Sequence, residues 1–171
     1  HSWLGEEKFT AGIRAYLSEY AFQSTDTAGF LDSFGRGAGA EATGMIENWI
    51  RRPGYPIVRA KREGNRLLLE QERFTWLEHA SEQVWHIPVS ISLFDDSGEK
   101  QKLSLLFREK RATVELPDDI KAFKINAGQI GFFHTAYEPQ NLEHLGRLAA
   151  ERVLSVADRF GLLLDLFALL L

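Results

Sequence analysis

Cysteine is absent from this sequence. No disulfide can staple the fold, no thiolate can hold a metal, and no thiol nucleophile can pair with a histidine. A cysteine-free chain fits a reducing, cytoplasmic compartment. Methionine occurs once, as Met45, and the first residue is His1. That opening reads as a piece of a longer product, with His1 either native or a tag remnant. No basic start followed by an apolar run marks a secretion signal. A net charge of −4 gives no global attraction to nucleic acid or to an anionic membrane. Long hydrophobic runs are also missing. The strongest, "FGLLLDLFALLL" at 160–171, is broken only by Gly161 and Asp165, and is shorter than the roughly 20 residues a membrane span needs. A helix apolar on nearly every side packs inside a larger protein or against another copy.

Several chemistries lack their minimum parts. A helical zinc protease site needs two histidines one turn apart with a glutamate beside the first. The histidines are His1, His79, His86, His134 and His144, and none stands four positions from another. Glu78, His79, Glu82 and His86 could cluster about a hairpin, but read more simply as solvated loop groups. His134, in an alternating segment, reads as a surface or hydrogen-bonded residue. No G-x-S-x-G elbow occurs. The carboxylate pairs Asp95-Asp96 and Asp118-Asp119 sit beside turn residues, where Asp commonly shapes the turn. Gly35, Gly37 and Gly39 lack phosphate-loop spacing, and "GRGAGAEATG" reads as a glycine-rich break between helices. From Arg51 to Arg73, seven cations oppose three glutamates. They alternate along strand-like segments, as a solvated sheet face would. No catalytic, cofactor-binding or metal-binding residue is assigned.

What is present has order. Residues 6–22 carry Phe9, Ile13, Tyr16, Leu17 and Tyr20 at helical spacing. Asp26 can cap a second helix through Phe34. A third, about Glu41 to Arg51, places Met45 and Trp49 one turn apart as a buried stripe, with Glu47 facing out. "RPGYP" ends it. From Ile57 the period becomes two: Leu67, Leu69 and Gln71 share one face, as do Val89, Ile91 and Leu93, then Leu103, Leu105 and Phe107. "DDSG" turns the chain between the last two, and "ATVELP", "AFKIN" and "GFFHTAY" supply further strands. Helical spacing resumes after Pro139 with Leu142, Leu145 and Leu148. Ser155 and Asp158 form a capping box before the final helix. The expected fold is mainly β: an antiparallel β-sandwich of seven or eight strands flanked by N-terminal and C-terminal helices. With no helix-length crossover between strands, a parallel sheet is not expected.

Five segments in order resemble one family. "WLGEEKFTAGIRAYLSEYAFQSTDTAGFLDSF" is similar to the last catalytic-domain helices of the aminopeptidase N-like zinc aminopeptidases, the gluzincins. "MIENWIRRPGYPIV" resembles their M-x-x-W-x-x-x-x-GYP-[IV] junction. "LEQERF" and "WHIPVSI" resemble their Q-x-R-F and W-x-[IV]-P-[IVL] strands. "FKINAGQIGFFHTAY" resembles K-[IVL]-N-x-x-x-x-G-[FY]-[FY]-R-x-x-Y, with His134 in place of the Arg. "DRFGLLLDLFAL" resembles D-R-x-x-L-[ILV]-x-D-x-F-x-L. The "GMIEN" stretch at Gly44 to Asn48 is near G-x-M-E-N, the family's amino-terminus-gripping loop. Its residue order differs, and the resemblance puts it in the helix before the GYP turn.

The resemblance implies the middle region of a zinc aminopeptidase. It implies the helical end of a catalytic domain at 1–52, a β-sandwich at 53–138 acting as a spacer, and the start of a helical C-terminal domain at 139–171. The zinc ligands and catalytic groups of the parent would all precede Ser2. Expected partners are the remaining domains of the parent and, for the parent, a peptide substrate. Neither nucleic acid nor membrane is expected, and the apolar last helix could self-associate. The alternatives are a stand-alone interaction module and a carbohydrate-binding sandwich. The latter would need exposed aromatics, for which Trp76 and Trp85 are the nearby tryptophans.

Overall fold

The computed structural model describes residues 3–75 and 82–170. The chain divides into two compact units, His1–Pro53 and Gly54–Leu171.

The first unit holds three helices, α1 (Glu6–Glu19), α2 (Thr27–Ala38) and α3 (Ala40–Ile50). Asp26 caps α2 as its sequence position suggests: Gly29 N–H donates to Asp26 Oδ1 at 2.8 Å. Phe34, Ala38 and Ala42 form the core, with Phe9, Ile13, Phe30 and Ile46 against them. Two expectations change here. Gly35 and Gly37 do not break a helix; both lie inside α2, and Gly39 alone separates it from α3. The reason is close packing. A Cβ on Gly37 would lie 2.2 Å from the Ala11 carbonyl oxygen, and one on Gly12 would lie 2.6 Å from the Phe34 ring. The glycines let α1 and α2 approach backbone to backbone. The inward stripe of α3 also differs: Ala42 and Asn48 are buried, while Met45, Glu47 and Trp49 are half-buried.

Among the described residues the second unit holds seven strands: β1 (Pro56–Glu63), β2 (Arg66–Arg73), β3 (Ile87–Asp95), β4 (Gly98–Phe107), β5 (Arg111–Glu115), β6 (Ala122–Ile125) and β7 (His134–Tyr137). They form a four-stranded sheet, β5-β2-β1-β7, and a three-stranded sheet, β4-β3-β6. The alternation read from sequence holds. Leu67, Leu69 and Gln71 are buried along β2, and Val89, Ile91 and Leu93 along β3. Asp95 shapes the predicted turn by accepting the Ser97 N–H at 2.7 Å, and Gly98 supplies its positive φ of 125°.

One pairing departs from the antiparallel expectation. β7 lies parallel to β1, with Ile57 opposite His134 and Ala60 opposite Tyr137. A parallel neighbour requires a long return path, and here β2 to β6 provide it in place of a single helix. The fold is therefore a mixed α/β arrangement of two mostly antiparallel sheets with helices.

Two helices follow, α4 (Pro139–Ala150) and α5 (Val156–Leu170). Leu145, Leu154 and Leu162 join Phe94 and Ala122 in one buried cluster. The predicted capping box opens α5: Asp158 N–H donates to Ser155 Oγ at 3.1 Å, and Ser155 Oγ donates to Asp158 Oδ2 at 2.6 Å. The opposite side of α5 leaves Phe160, Leu163, Leu164, Phe167 and Leu170 exposed. Among the described residues no helix is long and apolar enough to cross a membrane.

Candidate functional site

Three of the segments that carried the sequence resemblance, at Gln71, Asn126 and Asp158, contribute to two polar joints in the second unit. The first is built on Gln71, which is fully buried in β2. Its Oε1 accepts the Trp85 backbone N–H at 2.8 Å, and its Nε2 donates to the Trp85 carbonyl at 2.9 Å and the Glu109 carbonyl at 2.8 Å. One side chain thereby ties β2 to the chain just before β3 and just after β4. A primary amide suits this task because it carries an acceptor and two donors in one plane. Trp85 is itself fully buried, so it belongs to the core and offers no sugar-binding surface. Trp76, Glu78 and His79 lie outside the described residues.

The second joint lies where α5 meets the ends of β6 and β7. Asn126, left-handed at φ 56°, accepts the Gly131 N–H at 2.8 Å and donates to the Gly131 carbonyl at 3.0 Å. That closes the loop between the two strands and explains an Asn five positions before a Gly. Gly128 N–H donates to Asp158 Oδ1 at 2.7 Å, so a first-turn residue of α5 also pins this loop. Gly161 lets α5 lie close to the loop: a Cβ there would sit 1.9 Å from the Gln129 carboxamide. One turn further, Asp165 is buried and its Oδ1 accepts from His134 Nδ1–H at 2.9 Å. The other imidazole nitrogen faces Tyr55 Oη at 3.4 Å, and the ring packs against the stacked Tyr55–Phe74 pair, with centroids 5.4 and 4.8 Å away. In this tautomer Nε2 accepts.

Lys124 completes the cluster. It is fully buried on β6, and its Nζ donates to the Ile125 carbonyl at 2.7 Å. Burial pushes its pKa down, while the carboxylates of Asp158 and Asp165 push it up. Burial pushes the Asp165 carboxyl up, against the His134 hydrogen bond and the Lys124 charge. Burial also pushes the Tyr137 phenol well up; that hydroxyl donates to the Ile125 carbonyl at 3.2 Å and accepts the Ile125 N–H at 3.0 Å.

The sequence carried one clue to this joint. Gly161 and Asp165 are the two residues that break the apolar run of the last helix, and both prove to be buried. Nothing in the strand pattern signalled that Lys124 is buried, because all four residues of β6 are. The run of cations from Arg59 is spent on pairing: Arg59 with Glu72, Lys61 with Glu63, while Arg62 donates to the Ile120 and Gly64 carbonyls. Asp118 accepts from Asn65 and Asp119 pairs with Lys100.

Zinc does not fit these residues. Among the described residues no three His, Cys, Asp or Glu side chains converge. The His134–Asp165 pair is a two-donor set, and the buried Lys124 ammonium beside Asp165 repels a cation.

No family model matches the chain. Curated relatives do. The chain is 34% identical over 95% of its length to "Aminopeptidase 2" of Candida albicans, covering 18% of that protein. It is 32% identical over 98% of its length to "Alanine/arginine aminopeptidase" of Saccharomyces cerevisiae, covering 19%. It is 30% identical over 98% of its length to "Probable M1 family aminopeptidase 1" of Encephalitozoon cuniculi, covering 18%. The chain spans about a fifth of the length of the curated relatives it matches. Along nearly all of its own length, then, the chain's curated homologues are M1 family aminopeptidases, consistent with the middle region of an aminopeptidase N-like protein.

Proposed function

We propose that this chain is the non-catalytic central part of a zinc-dependent aminopeptidase, with its β region serving as a structural spacer. The parent would remove N-terminal residues from peptides in the cytoplasm, zinc supplying an activated water. Residues 1–52 would close the catalytic domain, 53–138 would form a sandwich-like spacer, and 139–171 would open a helical C-terminal domain. The observation that carries this reading is how the shared motif residues are used. Gln71, Asn126, Asp158 and Asp165 are each committed to other parts of the fold. A catalytic set would point such groups into a cleft. Rigid joints are what a spacer needs to hold flanking domains at a fixed distance.

A second reading is a stand-alone module that acts by docking. The exposed Phe160, Leu163, Leu164, Phe167 and Leu170 favour it, because a stripe of that kind invites a partner or a second copy. The intact mass of the natural product, with zinc assayed on the same sample, separates the two. A much longer, zinc-bearing polypeptide supports the spacer. A zinc-free product of this length overturns it and leaves the docking module.

A further inference from the structure

We propose that the docking of α5 onto the sheets is proton-linked at Asp165, so that the seam tightens when this carboxyl takes up a proton and loosens when it is charged. The geometry isolates the group. Asp165 is 4% exposed in the middle of the apolar run that ends α5. Its Oδ1 accepts from His134, while its Oδ2 is buried with no hydrogen bond of good geometry, the Thr135 backbone N–H being the nearby donor. A carboxylate has capacity for about four hydrogen bonds, and burying it underfilled is costly. Protonation removes the charge and turns one oxygen into a hydroxyl.

The groups facing Asp165 come from every element that packs on α5. His134 and Tyr137 lie on β7, and Lys124 on β6. Asp158 lies two turns back on α5 itself and touches the Gly128 backbone. The Ala127–Gln129 turn brings no titratable side chain, and α4 meets α5 through Leu142, Leu145, Leu148 and Ala149. Beside the imidazole stands the Tyr55 hydroxyl. Glu72, on the neighbouring strands' register with Ile57 and His134, is occupied by Arg59. His134, Lys124 and the Thr135 backbone N–H therefore support the charged carboxylate, and burial opposes it more strongly.

The sign follows. A carboxyl whose folded pKa is raised contributes stability that is fully present below its unfolded value of about 3.9 and is lost as pH rises through the folded value. Acid should thus strengthen this seam locally. Exposed carboxylates such as Asp95 and Asp119 have lowered pKa values and pull overall stability the other way. The test must separate the two.

Amide hydrogen exchange at residues 162–168 of the whole chain, from pH 7 to pH 4, does so when wild type is compared with Asp165→Asn. The ratio of wild-type to variant protection should climb as pH falls, by at most about tenfold per pH unit for one linked proton. A ratio independent of pH overturns the proposal. Direct titration of the Asp165 carboxyl carbon by NMR in wild type is the companion measurement, needed if the variant does not fold. A midpoint above that of an ordinary aspartate supports the linkage, and one at or below it overturns the linkage.

Discussion

The carboxamide of Gln71 holds Trp85 from both sides, accepting its N–H at 2.8 Å and donating to its carbonyl at 2.9 Å. Replacing Gln71 with Leu keeps the volume but strands one donor and two carbonyls in the interior. Leaving buried backbone groups unsatisfied should cost roughly 2–4 kcal/mol. Urea unfolding followed by tryptophan fluorescence checks this. A loss below about 0.5 kcal/mol would mean that water replaces the amide and that the joint does not hold the sheets.

Gly37 and Gly44 are both helical, yet their substitutions should act in opposite directions. Alanine at Gly37 meets the Ala11 carbonyl at 2.2 Å, so α1 and α2 must separate, at about 1–3 kcal/mol. Alanine at Gly44 meets nothing within 4 Å and should stabilise the first unit by about 0.5–1 kcal/mol through helix propensity. Thermal melts of helical circular dichroism distinguish them, and the same sign for both would contradict the packing.

Asp158 Oδ2 accepts from the Ser155 hydroxyl that caps α5, and its Oδ1 pins the Gly128 backbone. Asp158→Ala keeps the N–H that Ser155 caps but removes both side-chain hydrogen bonds, and should cost about 1–2 kcal/mol. Asp158→Asn keeps an acceptor and should retain most of that stability. Denaturant midpoints of the two variants test the order, and equal losses would point to charge in place of hydrogen bonding.

Lys124 has a folded pKa lowered by burial, so the folded state releases its proton more readily than the open chain. The stability tied to this group is present above the unfolded lysine value of about 10.4 and falls away as pH drops through the folded one. Lys124→Met removes the linkage. The stability of wild type relative to the variant should rise as pH increases from neutrality toward 10.5. A difference that stays flat over that range would show that the neighbouring carboxylates fully offset burial.

Local signals were legible in the sequence because their causes are local. The Asp26 cap, the Ser155–Asp158 box and the alternation of Leu67, Leu69 and Gln71 depend on neighbours a few residues away, and each appears as read. The glycines of α2 were misread because their reason lies in another helix, at Ala11. The parallel pairing of β7 with β1 was missed because strand pattern carries no direction. Asp165 and Lys124 could not be paired on paper. They are 41 positions apart in sequence, and only the docking of α5 brings their charges together.

The most direct measurement of the central proposal is made on this chain alone. Zinc binding by equilibrium dialysis and hydrolysis of aminoacyl chromogenic substrates are read in parallel, with a relative-length polypeptide as the positive control. A spacer should show no stoichiometric zinc and no turnover while the longer polypeptide shows both. Tight zinc with turnover by these 171 residues would contradict it.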